Sequence, residues 1–129
     1  MRKIFRKIVK KYKKTAKSIG LNRILGVSNV VDIDVYKRNI ESVIERSKDT
    51  KIFLISTIPH LDISRNSEIM RYNEVLSQLS SKYDHVFYVE VYSDFVDHSV
   101  YYLDNTHMND AGYEMITDKL LSMYEISQK

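Results

Sequence analysis

The fold of this chain is decided near its C-terminus, by the stretch Tyr102-Leu103-Asp104-Asn105-Thr106-His107-Met108-Asn109-Asp110-Ala111-Gly112-Tyr113. Within it, Asp104 precedes His107 by three residues. If residues 100–106 form a loop, the Asp104 carboxylate can accept a hydrogen bond from Nδ1 of His107. That bond would fix the imidazole tautomer and leave Nε2 free to take a proton from a nucleophile. The spacing therefore predicts two members of a hydrolytic triad.

The setting of this pair supports the prediction. A strand pattern precedes it, and a helix pattern follows it to about Tyr124. Asn109 or Asp110 can cap that helix with a side-chain oxygen. Gly112 lies in its first turn, where the missing side chain allows close packing. The pair is thus expected at the junction of a loop and a helix.

Asp-x-x-His followed by Met-Asn-x-x-Gly-Tyr, close to the C-terminus, resembles the last conserved block of the SGNH (GDSL-type) hydrolases. Those proteins are α/β esterases and acyl hydrolases with a Ser-His-Asp triad. The resemblance implies that Asp104 is the orienting acid and His107 the general base. It also implies an ester or an acylated carbohydrate as substrate, and no cofactor.

The family places its nucleophile in a Gly-Asp-Ser motif after the first strand, and this sequence has no such motif. The blocks that supply the oxyanion donors are also absent, although Gly26-Val27-Ser28-Asn29 could be a diverged form of one. We therefore expect the later half of a hydrolase, incomplete at its N-terminal side. It would be a fragment, a split half whose Ser comes from another segment or chain, or a domain that has lost catalysis.

Apolar periodicity outlines the body of the protein. It predicts helices at 33–48, from 66 or 67 to about 83, and 109–124, with strands at 51–57 and 85–91. Asp32 is the expected N-cap of the first helix, and Asn66 or Ser67 that of the second. Residues 92–103 are expected to be an irregular loop. Helices that alternate with strands imply parallel crossovers. We predict a three-layer α/β/α arrangement, the flavodoxin-like fold of SGNH hydrolases.

The same periodicity predicts which side chains point inward. The strand at 51–57 is expected to be buried on both faces, because its apolar run is almost continuous. The expected inward faces are Ile33, Tyr36, Ile40, Val43 and Ile44 in the first helix, Ile69, Tyr72, Leu76 and Leu79 beside Asn73 in the second, and Tyr113, Ile116, Leu120, Leu121 and Tyr124 in the last. Two strands without an inner neighbour would expose a sheet edge. We therefore expect self-association, or an upstream polypeptide that completes the sheet.

Charge divides the sequence into two regions. Residues 1–31 contain ten of the 20 Lys and Arg, whereas all 17 Asp and Glu lie in residues 32–129. Residues 2–19 have the spacing of an amphipathic helix with a basic face, and a connection follows it. This helix could pack on the acidic body, track the phosphates of a nucleic acid, or lie on anionic lipid. The alternative function is therefore a non-catalytic binding or assembly domain.

Composition narrows the remaining possibilities. The absence of Cys excludes disulfides and thiolate metal sites. No apolar run reaches the roughly 20 residues of a membrane span, and no signal peptide is recognisable, so a cytoplasmic protein is the default expectation. His60 is expected to be a loop histidine with satisfied hydrogen bonds, and no spacing argues for a metal site with Asp104 and His107. Tyr101 and Tyr102 are the tyrosines expected nearest to a substrate.

Overall fold

The computed structural model describes residues 31–129. The predicted basic helix at 2–19 and almost all of the 1–31 region lie outside the described residues. Lys37–Lys129 form one compact unit, and the residues before Lys37 are grouped in another.

The first helix, α1, spans Ile33–Arg46. Asp32 caps it as predicted, since its Oδ1 accepts hydrogen bonds from the backbone N–H groups of Asp34 at 2.8 Å and Val35 at 3.4 Å. Ile44 is fully buried, but Val43 is 58% exposed, so the prediction that Val43 faces inward is wrong. Adjacent residues of a helix point about 100° apart, so the burial of Ile44 does not bring Val43 into the core.

Two parallel strands form the sheet of the described region. Strand β1 spans Ile52–Ile55 and β2 spans Val86–Val89, with Ile52 paired with Val86 and Ile55 with Val89. The prediction that β1 is buried on both faces is wrong, since Ile55 is 37% exposed and the other three residues are half-buried. The observed class is mixed α/β with a small parallel sheet.

Helix α2, Asn66–Lys82, connects the two strands. Its buried residues are Asn73, Val75, Leu76 and Leu79. Asn73, Leu76 and Leu79 were predicted to face inward, whereas the predicted Ile69 and Tyr72 are only half-buried and Val75 was not predicted. Neither Asn66 nor Ser67 is the N-cap. Arg65 occupies that position without a side-chain bond, while the Asn66 amide binds the backbone of His60 instead.

The segment after β2 is more ordered than predicted. Residues Tyr92–Phe95 form a short helix, α3, and Ser99–Tyr101 form a 3₁₀ turn. Glu90 accepts hydrogen bonds from the backbone N–H and the hydroxyl of Ser93 and so closes α3. Phe95 is fully buried and packs with Val89, Val91 and Tyr102 in the hydrophobic core. Burial of this one aromatic ring explains why the segment is not an irregular loop.

The last helix, α4, spans Asp110–Ser127 and is capped by Asn109, whose Oδ1 accepts from the N–H of Gly112 at 3.1 Å. The predicted inward face is wrong at Tyr113, Leu121 and Tyr124, which are exposed. Gly112 is buried, and a side chain at this position would meet the backbone carbonyl oxygen of Tyr101. The helix therefore turns the face that contains Gly112 toward the core. The residues that pack on the core are Met115, Ile116, Leu120 and Met123. No helix within residues 31–129 is long and apolar enough to cross a membrane.

Candidate functional site

The predicted Asp-His pair lies on a closed turn between the 3₁₀ segment and α4. Tyr102 and Met108 form an antiparallel bridge, and the N–H of Leu103 donates to the carbonyl of His107 at 2.8 Å. These backbone contacts bring the two ends of the 103–107 turn together. They also connect it to the capped start of α4, because the N–H of Asn109 donates to the carbonyl of Tyr101 at 3.0 Å.

Asp104 binds His107 with both carboxylate oxygens. Oδ2 lies 2.8 Å from the imidazole Nδ1, which is the contact that the sequence predicted. Oδ1 accepts the backbone N–H groups of Thr106 at 2.7 Å and of His107 at 2.8 Å. One oxygen therefore closes the turn while the other orients the ring. The turn-forming role of aspartate and the imidazole contact are combined in one side chain.

These hydrogen bonds act on the acidity of the carboxyl group. The backbone N–H of His107, the His107 ring and the backbone N–H of Thr106 lower the pKa of Asp104 from 3.8 to about 2. Asp104 is therefore ionised throughout the neutral range. A carboxylate acceptor at Nδ1 favours the tautomer with its proton on Nδ1, which leaves a lone pair on Nε2.

The pair is accessible from solvent. The His107 side chain is 75% exposed and that of Asp104 is 58% exposed. Within residues 31–129, His107 Nε2 has no hydrogen-bond partner, and no Ser hydroxyl contacts the ring. The arrangement can accept a proton at Nε2 from a group brought to it. The structure thus contains an oriented base, and the catalytic role of Asp104 and His107 stays a prediction.

The turn lies against the chain that leaves β1. The Tyr102 hydroxyl donates to the carbonyl of Pro59 at 2.6 Å, and the N–H of Leu61 donates to the carbonyl of Asn105 at 3.1 Å. The pair is thus located beyond the carboxyl end of β1. That end of a parallel sheet is where open α/β folds bind their ligands.

Two buried polar side chains, Ser56 and Asn73, bind the backbone at this end of the sheet. Apolar periodicity did not predict these hydrogen bonds. The Ser56 hydroxyl accepts the backbone N–H groups of Val91 at 2.9 Å and Tyr92 at 3.1 Å. The Asn73 amide both accepts from and donates to the backbone of Thr57, at 2.8 Å each. Because Ser56 is 3% exposed and already engaged, it is not a candidate nucleophile.

The tyrosines before Asp104 have a structural role. Tyr102 is buried among Val89, Val91 and Phe95 and so belongs to the hydrophobic core, while the expectation that it lies near a substrate stays a prediction. Tyr101 is half-buried, with its ring centroid 5.2 Å from that of Phe95. Both rings pack against the ring of Phe95.

His60 has satisfied hydrogen bonds, as expected. Its Nδ1 lies 2.8 Å from the backbone N of Asp62, and its Nε2 lies 3.1 Å from Oγ1 of Thr106. The link between His60 and the Asp104 turn was not visible in the sequence, because 46 residues separate His60 from Thr106. In residues 31–129, no group of three or more His, Asp or Glu side chains could hold a metal ion.

A concave surface lies between α2 and the end of β2, with a volume of about 310 Å³. It is lined mainly by polar and aromatic side chains, namely Met70, Asn73, Glu74, Ser77, Tyr88, Glu90, Tyr92 and Ser93. Neither Asp104 nor His107 is part of its wall. The predicted chemistry therefore belongs to the exposed turn and not to this cavity.

Comparisons of the chain with protein-family models, curated proteins and solved structures gave no match.

Proposed function

We propose that this chain carries the acid-base half of an SGNH/GDSL-type hydrolase acting on esters or O-acyl groups, including acylated carbohydrates. The observation that supports this most directly is the 2.8 Å contact between Asp104 Oδ2 and His107 Nδ1, on a turn beyond the carboxyl end of β1. The fold proposed with it is the three-layer, flavodoxin-like α/β/α arrangement. The parallel pairing of β1 and β2 around α2 is compatible with that fold.

In the proposed reaction, His107 Nε2 removes the proton from a Ser hydroxyl that another segment or chain supplies. The Ser oxygen attacks the acyl carbon, and the imidazolium returns the proton to the departing alkoxide. Water then enters by the same route and releases the carboxylic acid and the free Ser. Asp104 stays ionised and holds the ring, which agrees with its lowered pKa.

The partner that supplies the Ser would also complete the sheet and provide oxyanion donors. Such donors contribute a large share of the rate of acyl transfer, so the dyad alone should be a poor catalyst. Within the described residues each strand has a single strand neighbour. We propose that an upstream polypeptide, or a second copy of the chain, binds at this open sheet.

The experiment measures hydrolysis of p-nitrophenyl acetate by the chain alone and after mixing with the polypeptide encoded immediately upstream. We expect the chain alone to hydrolyse the ester no faster than the same concentration of free imidazole. The mixture should be active, and the substitution His107→Ala should abolish that activity. Glu125→Ala, on the exposed end of α4, is the matched control and should leave the rate unchanged.

Two results would reject the proposal. One is a mixture as inactive as the chain alone. The other is activity that survives His107→Ala, which would place the base elsewhere. Turnover by the chain alone well above that of imidazole would instead show that the chain contains its own nucleophile.

The charge distribution favours a second candidate, a non-catalytic binding domain. Ten Lys and Arg without a single acid in residues 1–31 would suit nucleic acid, anionic lipid or an acidic partner. Steep salt dependence of DNA binding that His107→Ala leaves unchanged would support this candidate. Binding that is independent of salt would contradict it.

A further inference from the structure

We propose that His60 is a positioning residue which, through Thr106, holds the Asp104–His107 turn in the geometry required for proton transfer. The catalytic meaning of this inference rests on the proposed function, whereas its geometric content does not. Four elements of structure are involved: the start of α2, the chain after β1, the side chain of Thr106 and the carboxylate of Asp104.

The tautomer of His60 follows from its contacts. Its Nδ1 lies 2.8 Å from the backbone N of Asp62, a group that can only donate. Nδ1 must therefore accept, and the ring proton lies on Nε2. That proton is directed to Oγ1 of Thr106, at 3.1 Å. His60 thus acts as a donor to the turn.

The backbone of His60 is itself held from α2. The Asn66 side chain accepts the N–H of His60 at 2.8 Å and donates to its carbonyl at 3.1 Å. Asn66 is the first residue of α2, so the imidazole is tied to a regular element. A hydrogen bond from a side chain that is anchored to a helix restricts the position of its partner more than a bond between two loop residues would.

Thr106 transmits this restraint to the dyad. The backbone N–H of Thr106 donates to Oδ1 of Asp104 at 2.7 Å, and the Oγ1 of Thr106 accepts from His60. Displacement of Thr106 would move the oxygen that closes the turn, and with it Oδ2 beside the His107 ring. Because both dyad side chains are mostly exposed, packing cannot fix them and hydrogen bonds must do so.

Two matched variants separate the donor of His60 from its acceptor. His60→Gln places an amide donor near the former Nε2 but removes the acceptor for Asp62. His60→Asn keeps an acceptor for Asp62 but is too short to reach Thr106. Both variants are made in the intact chain, and the backbone bond between Leu61 and Asn105 does not involve the substituted side chain.

The readouts are the ¹⁵N shifts of the His107 ring in mildly alkaline solution and the hydrogen exchange of the Thr106 and His107 amides. In the unsubstituted chain and in His60→Gln we expect the Nδ1–H tautomer to dominate. In His60→Asn this preference should be lost, and the two amides should exchange about fivefold faster, as expected for one lost hydrogen bond.

A His107 tautomer and amide exchange that do not change in His60→Asn, or that change equally in His60→Gln, would overturn the inference. If His60→Asn does not fold, Thr106→Val and Thr106→Ser test the same bond. Val removes the hydroxyl that accepts from His60 and should behave as His60→Asn, whereas Ser keeps it and should behave as the unsubstituted chain. None of these readouts depends on turnover. Failure of the proposed function would therefore leave the NMR result intact, and a negative NMR result would leave the complementation assay intact.

Discussion

The carboxylate of Asp104 is bound on both oxygens within the turn that contains His107: Oδ1 accepts the His107 backbone N–H and Oδ2 contacts its ring, each at 2.8 Å. Position and orientation of the imidazole thus come from a single side chain. Any change at Asp104 should affect the turn and the tautomer together.

Asp104→Asn tests this coupling. An amide cannot stabilise the Nδ1–H tautomer and the imidazolium as a carboxylate does. We expect the tautomer preference of His107 to be lost. If the proposed hydrolase activity is obtained by complementation, its kcat should fall by about 10³–10⁴-fold. The ¹⁵N spectrum and the ester assay measure the two effects. A change of less than tenfold in kcat would show that Asp104 is only a turn former.

The low pKa of Asp104 predicts a specific dependence on pH. Its carboxyl group should titrate near pH 2, below the ordinary value of 3.8. Because the folded pKa is the lower one, this group stabilises the folded turn fully above about pH 3.8, and the contribution is lost as the pH falls through about 2. Titration of the side-chain carboxyl carbon by NMR measures the midpoint.

His107→Ala provides the control for that titration. The substitution removes the ring contact but keeps the backbone N–H groups of residues 106 and 107. The N–H of residue 107 is the largest cause of the lowered Asp104 pKa. The midpoint should therefore rise and still remain below 3.8. A midpoint at 3.8 in the unsubstituted chain would contradict the observed hydrogen bonds.

Gly112→Ala should destabilise the protein although alanine favours helix. A Cβ at this position would lie 2.7 Å from the backbone carbonyl oxygen of Tyr101, which cannot move without shifting the turn. We expect the free energy of unfolding to fall by about 1–3 kcal/mol, despite a gain of about 1 kcal/mol in helix propensity. Urea denaturation measures it, with Glu125→Ala as a control within about 0.5 kcal/mol. Greater stability in Gly112→Ala would show that the contact is loose.

Asn73→Leu should also destabilise the fold. Leucine fills a similar volume, but it leaves the backbone N–H and carbonyl of Thr57 without the partners that Asn73 provides. Unpaired backbone groups of this kind cost about 1–3 kcal/mol, which urea denaturation would detect. Gln78→Ala, on the exposed side of α2, is the control. An unchanged free energy of unfolding in Asn73→Leu would mean that water replaces the amide at no cost.

Local sequence was sufficient for contacts made within a few residues. The Asp104–His107 bond, the Asn109 cap and the Asp32 cap each span two or three positions, and side-chain length and helix geometry decide them. The order of the three long helices and the two strands likewise followed from apolar periodicity, whereas the short helix α3 did not. These features depend on short-range geometry that is the same in most proteins.

Tertiary structure decided what periodicity leaves open. Tyr113 and Tyr124 have the spacing of core residues, yet both are exposed, because the contact of Gly112 with Tyr101 sets the rotation of α4. The link between His60 and Thr106 spans 46 positions and exists only because the chain after β1 and the turn before α4 meet at one end of the sheet. The sequence by itself determined the Asp104–His107 pair and its spacing. Only the folded chain determined what holds that pair in place, since contacts between distant segments depend on how the elements pack.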